Sequence, residues 1–181
     1  MRSFIARYLL CQVSRRYAYD TSYLEMMLKT SPAAFFKFAA LMKAAKHREA
    51  VAVEPWFAAK LTGAMAEDCG PCTQLCVDMA LEAGVPRDQI EAVLRRDLRA
   101  MNPDTALAFQ FADVVVGRSA DHGACRNAVR KRWGDRGVID LAMALQMGRI
   151  FPMLKSALGY ASECRCVRIE GDQVDVAKRV A

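Results

Sequence analysis

The sequence predicts one all-α domain of seven to nine helices that closes on a short C-terminal β-hairpin. Three observations carry this. Apolar residues recur at a spacing near 3.6, as in Phe35, Phe36, Ala39, Leu41 and Met42, and not in alternation. Helix starts are marked by a cap or an acid followed by proline: Ser31-Pro32, Glu54-Pro55 and Asn102-Pro103. Turn formers are few, with 10 Gly and 6 Pro in 181 residues, so long regular elements are expected. Hydrophobic residues at 54% and charged residues at 25% exclude a disordered or collagen-like chain. The 181 residues read as one domain, without linker, low-complexity stretch or clear repeat.

Taken in order, Asp20-Thr21-Ser22 caps a helix with Tyr23, Leu24, Met27 and Leu28 on one side. Ser31-Pro32 opens the Phe35–Met42 helix. Glu54-Pro55 opens another, through Trp56 to about Ala66. Cys69 to Glu82 follows and is closed by Gly84. Val85-Pro86-Arg87-Asp88 leads into a helix from Gln89 to Leu98. Asn102-Pro103-Asp104 starts one that ends near Gly117. A helix from about Asp121 to Trp133 is closed by Gly134, and a long one from about Asp135 to Leu158 is expected to kink at Pro152. In the tail, Cys164–Ile169 and Gln173–Val176 alternate around Gly171-Asp172, the pattern of a hairpin.

Several function classes lose support at once. The most apolar window, Val138 to Leu154, carries Asp140 and Arg149 and is broken by Pro152, so it reads as a buried helix and no membrane partner is expected. The net charge of +6 is spread out. Its densest stretch, with Arg126, Arg130, Lys131 and Arg132, lacks aromatic interleaving and reads as a solvated helix face, not a nucleic-acid surface. The Phe4–Leu10 run is broken by Arg7 and lacks a small-residue cleavage site, unlike a secretory signal. Seven cysteines, an odd number, cannot all close into intramolecular disulfides. A reducing, cytoplasmic setting is the expectation, and there clustered thiols are more often catalytic or metal-binding than structural.

The informative segment is Glu67-Asp68-Cys69-Gly70-Pro71-Cys72-Thr73-Gln74-Leu75-Cys76. At about 100° per residue, a helix running through all three thiols holds them within about 60° of arc. Cys69 and Cys72, at i and i+3, are near enough for a reversible disulfide. A helix starting at Cys69 stabilises a thiolate there through its unpaired N–H groups and dipole, and Pro71 suits a first turn. Thiol–disulfide chemistry needs such a pair: one thiol of low pKa to attack, a second to close the disulfide before over-oxidation. Ligation of a metal by Cys69, Cys72 and Cys76 is the alternative, although one straight helix rarely wraps a tetrahedral ion. Cys-Gly-Pro-Cys is also the thioredoxin tetrapeptide, but Ala58–Ala66 before it reads as helix where a thioredoxin has a strand.

The helical context resembles the carboxymuconolactone decarboxylase family, in its alkylhydroperoxidase-D-like branch. Cys69 and Cys72 match that family's two cysteines. Val77–Pro86 with Gln89-Ile90 looks like its helix, Gly turn and next helix. Asp104–Asp113 resembles the helix that follows, and Val138-Ile139-Asp140-Leu141 the start of its last; the likeness spans roughly residues 20–160. It implies an alkylhydroperoxidase-D-like all-α fold, a homo-oligomer, a small peroxide or disulfide as substrate, an external dithiol as reductant and no cofactor. It also implies Cys72 as the peroxide-attacking thiol and Cys69 as its resolving partner, whereas the helix-start argument favours Cys69 for attack. The family's proton relay is missing at its usual places: its histidines correspond to Pro71 and Cys76, and its glutamate to Phe57. Glu54, Glu67 and His122 are the candidate substitutes. Glu67, two residues from Cys69, is the first choice for a general base, although a carboxylate there would also raise the thiol pKa.

Cys76 reads equally as a third redox thiol or a small buried residue. His122 and Cys125 share a metal-compatible i, i+3 spacing with no partner motif, and Cys164 and Cys166 would share a strand face. No role is expected of Cys11. The function expected is a thiol-dependent oxidoreductase acting through Cys69 and Cys72, against a non-catalytic helical oligomer of the same fold or a Cys-ligated metal protein.

Overall fold

The structure is a computed structural model and describes residues 2–161 and 166–178. Nine helical segments run in order among these residues: α1 Arg2–Tyr17, α2 Ser22–Thr30, α3 Pro32–Ala39, α4 Leu41–Ala44, α5 Val53–Met65, α6 Gly70–Glu82, α7 Arg87–Arg95, α8 Pro103–Val116 and α9 His122–Ala157. A two-stranded antiparallel hairpin, β1 Cys166–Ile169 and β2 Asp172–Asp175, follows with Val167 opposite Val174. The all-α architecture with a terminal hairpin is the predicted one.

Proline-marked helix starts behave as their chemistry demands. Ser31 Oγ accepts from the Ala34 N–H at 3.4 Å, and Asn102 Oδ1 accepts from the Thr105 N–H at 2.9 Å, with proline next in each case. Glu54 is absorbed into the same corner: its carboxylate accepts from Asn102 Nδ2 and, at 3.1 Å, from Thr105 Oγ1. It joins α5 to α8 and does not reach the thiols as a substitute relay.

Four expectations shift. Arg2–Tyr17 form a helix that the sequence did not announce. The Phe35–Met42 helix breaks at Ala40, leaving α4 as a single turn. α7 stops at Arg95, where Arg96 takes the left-handed φ of 59° and its N–H bonds back to Val93 O at 3.1 Å. In α9 helical dihedrals break at Gly134, the expected helix end, with φ 69° and ψ −172°, but the kink expected at Pro152 is not there, since Pro152 keeps helical values and is buried. Gly134 has the freedom that a left-handed φ requires. By length and composition α9 could cross a membrane. In this fold it packs along α5 and α8 and buries Asp140 and Lys155.

Two apolar clusters make up the core. The larger lies among α5 to α9 and the hairpin and includes Leu61, Val77, Ile90, Leu94, Phe109, Leu141 and Leu145. α5 and α9 meet closely through paired glycines: a side chain at Gly63 would strike the Leu145 carbonyl, and one at Gly148 the Lys60 carbonyl. The smaller cluster gathers Ala6 and Leu10 of α1 with Tyr19, Tyr23, Leu24, Leu28 and Phe35, and it contains Cys69 and Cys72. α6 runs between the two. The hairpin leans on α6 and α7: Gln74 Oε1 accepts from the Arg168 N–H at 2.6 Å and Gln74 Nε2 donates to Arg168 O at 2.9 Å. The basic stretch of α9 is exposed, and Arg132 forks onto Asp104 through two 2.8 Å bonds.

Candidate functional site

The chain reverses between α5 and α6 through Asp68, which holds the left-handed φ of 49° uncommon for a side-chain-bearing residue. This turn delivers Cys69 as the N-cap of α6, in extended conformation at φ −101° and ψ 97°, with Pro71 in the first turn. The Cys69 carbonyl receives the Thr73 N–H at 2.9 Å and the Thr73 hydroxyl at 3.1 Å, which fixes the start of the helix. Cys72 lies one turn on, and the two sulfurs approach to 2.6 Å as free thiols.

The two thiols differ in electrostatics. Cys69 is pulled down from its ordinary value to about 7 by the Cys72 side chain, the Cys72 backbone N–H and the Lys155 charge, against the opposing effect of burial. Cys72 is pushed up, first by its bond to Cys69 and then by burial. Of the two, Cys69 is thus the one whose thiolate is favoured, at the helix start where the dipole also favours it. The attacking thiol suggested by the helix-start argument is the one so favoured; the family assignment would give that role to Cys72.

Cys76 does not join the pair. The wheel argument treated Cys69 as helical, yet Cys69 precedes the first helical residue, and α6 carries Cys76 into the larger cluster while Cys69 and Cys72 lie in the smaller. Burial pushes the Cys76 thiol up to about 11, with the Lys60 charge opposing. That environment suits a packing residue. Glu67 does not face the thiols as a free base: its carboxylate accepts from Arg149 Nε at 2.6 Å, tying the α5–α6 connection to α9. His122 is exposed and bonds Ser119 O at 2.7 Å through Nδ1. Cys11 is exposed and Cys125 half-buried, while Cys164 and the Cys166 side chain lie outside the described residues. Among the described residues no group of three His, Cys, Asp or Glu side chains is arranged to hold a metal.

The groups that do surround the pair were not signalled by any motif. Tyr19 Oη lies 3.5 Å from Cys72 Sγ and 3.4 Å from Tyr23 Oη. Lys155, on the last turns of α9, is 1% exposed. Its ammonium stands 4.7 Å from the Tyr19 ring centre and 5.6 Å from that of Tyr23. It also meets the carbonyl and the carboxylate of Asp20, each at 3.4 Å. Burial, then the neighbouring Tyr23 and Cys72, push the Tyr19 hydroxyl far up, and Tyr23 is raised to about 12, mainly by burial. Both tyrosines are therefore neutral donors at ordinary pH. A lysine at this position could have been suspected from its place on an otherwise apolar turn after Pro152, but nothing in the sequence ties it to residues 69–72.

The chain matches no family profile, no curated protein and no solved structure.

Proposed function

We propose that the protein is a thiol-dependent oxidoreductase in which Cys69 attacks and Cys72 resolves. One observation carries this reading: Cys69 caps α6 with its sulfur 2.6 Å from that of Cys72. With a small peroxide as substrate, the Cys69 thiolate attacks the nearer oxygen. The O–O bond breaks, an S–O bond forms, and the departing alkoxide or hydroxide takes a proton from water. Cys72 then attacks the Cys69 sulfenic acid. The S–S bond forms, the S–O bond breaks, and the Cys72 proton leaves with the hydroxyl as water. An external dithiol supplies two electrons and two protons to restore the pair and is itself oxidised to a disulfide. A small disulfide enters the same cycle by direct exchange with Cys69.

The enclosed setting of the pair, with Cys69 1% and Cys72 6% exposed, favours small substrates. The all-α setting of the CxxC pair supports a divergent alkylhydroperoxidase-D-like protein, and the odd count of seven cysteines fits a reducing, cytoplasmic compartment. Thiol counting before and after peroxide tests the reaction. Wild type is expected to lose two thiols at the pair and regain them with dithiol. Cys69→Ser is expected to lose none there, and Cys72→Ser to stop at a trappable sulfenic acid. Equal losses in all three proteins would remove the couple.

The burial of both thiols favours a second reading, a non-catalytic helical oligomer in which they only pack. Peroxide turnover abolished by Cys72→Ser would exclude it.

A further inference from the structure

We propose that Lys155 and Tyr19 are the polar half of the thiol site and stand in for the absent family histidines: Lys155 is a positioning residue whose ammonium holds negative charge on the sulfurs, and Tyr19 donates its hydroxyl hydrogen to Cys72 as that sulfur becomes charged. The assignment deepens the oxidoreductase reading and rests on it.

Four observations support it. A lysine 1% exposed is rare, because burying an ammonium costs several kcal/mol unless nearby groups compensate. Among the described residues Lys155 meets Asp20, at 3.4 Å, and the faces of Tyr19 and Tyr23, the same tyrosines that border Cys72. It lies in the α9 turn that faces the smaller cluster, where negative charge on the thiols would complete its surroundings. Its field lowers both Cys69 and Cys72, so it acts on whichever sulfur carries the charge. Tyr19 Oη, at 3.5 Å, is the hydroxyl next to Cys72 Sγ, and its hydrogen bond favours the Cys72 thiolate.

Among the described residues, the charged and titratable groups around the pair come from three places. From the α1–α2 connection come Tyr19, Asp20 and, at the start of α2, Tyr23. From α9 comes Lys155. In the α5–α6 connection Glu67 is held by Arg149, and Asp68 pairs with Lys178 at 3.5 Å. Among the described residues, Lys155 is the cation whose charge bears on both sulfurs.

The chemistry follows from the resolving step. As Cys72 surrenders its proton to the leaving hydroxyl and attacks, its sulfur passes through a negatively charged state in a dry environment. The Tyr19 hydroxyl is a rotor with one hydrogen, which turns from Tyr23 toward the sulfur with no net proton transfer. A preformed donor and a fixed cation stabilise that charge where water does not reach.

The test separates the two residues and separates both from the redox reading. Thiolate absorbance followed against pH, taken as the difference between each protein and its Cys69→Ser counterpart, needs no oxidant and no reagent access. A midpoint near 7 is expected for wild type. Lys155→Met is expected to move it up by about one pH unit or more, and Lys155→Arg to leave it near the wild-type value. An unmoved midpoint in a Lys155→Met protein with native circular dichroism would overturn the role of Lys155. Tyr19→Phe keeps the ring and removes one oxygen. It is expected to leave the Cys69 midpoint in place and to slow disulfide closure about tenfold after oxidation, seen as longer-lived sulfenic acid. Closure at the wild-type rate would overturn the role of Tyr19, and does so whether or not Lys155→Met folds. If wild type forms no Cys69–Cys72 disulfide, the redox reading fails, while the thiolate titration still decides Lys155.

Discussion

Asp140 shows how one side chain can organise a junction. It is 0% exposed, and its carboxylate accepts from the backbone N–H groups of Glu49 at 2.9 Å, Ala50 at 2.7 Å and Val51 at 3.0 Å, with His47 Nε2 3.5 Å away. Burial alone would raise its pKa; the three N–H groups and His47 outweigh that and hold it below its ordinary value. A lowered folded pKa places the stabilisation above the unfolded value near 3.8 and removes it as pH falls through the folded value. Asp140→Asn should cost about 2–4 kcal/mol in urea unfolding at neutral pH, and the variant should lose less further stability than wild type on acidification below pH ~4. In the sequence Asp140 was legible as a charge that argued against a membrane helix and as part of a family-like segment, not as the hub of a junction. Its three donors lie about ninety residues earlier, in a segment with no helical signal. Cys69 and Cys72 were legible because their spacing is local. Lys155 and Tyr19 were not, because 135 residues separate Lys155 from Asp20, its ion-pair partner. Cys76, left open between redox thiol and buried residue, is buried in the larger cluster, and the wheel argument erred at Cys69, which is the cap and not a helical residue.

At the scale of elements, proline and cap chemistry located the starts of α3, α5 and α8, since these signals act within one turn. The ends were harder. α7 ends on a left-handed arginine instead of a glycine, with the Arg96 side chain held by Asp113 and lying 5.1 Å from the Phe109 ring centre. Tertiary contacts hold it there, and local propensity has no access to them. α1 escaped notice because arginines interrupt its apolar residues and it buries only Ala6 and Leu10. The α5–α9 crossing rests on two glycines whose value lies in an absent side chain. Gly148→Ala is expected to destabilise the fold by about 1–3 kcal/mol, because the added methyl meets the Lys60 carbonyl and neighbouring backbone, not a side chain that can yield. Thermal unfolding checks this, and Gly123→Ala, where the added carbon meets nothing, is the comparison.

For the whole molecule, the division into two clusters places the thiols in the smaller one, closed by α1 to α3. The sequence announced the α2 and α3 faces of the smaller cluster, Tyr23, Leu24, Leu28 and Phe35, but not α1, whose outer side leaves Phe4, Ile5, Tyr8 and Leu9 between 52% and 78% exposed. Four large apolar residues on one helix are the kind of surface that protein contacts cover. They support the oligomer that the family resemblance implies. Sedimentation velocity is the measurement: wild type is expected above the 20.1 kDa monomer, and Phe4→Ser with Leu9→Ser is expected to shift it toward monomer while the thiol pair still titrates. A wild-type monomer at every concentration would remove the expectation.

The amide of Gln74 acts as a third strand made from a side chain. By accepting from the Arg168 N–H and donating to its carbonyl, it occupies both hydrogen-bonding groups that this residue of the hairpin presents outward. A two-stranded ribbon is ordinarily an invitation to further pairing. Here that invitation is withdrawn in the middle of β1 by the same helix that carries the thiols, so a further strand could not pair at Arg168 without displacing Gln74.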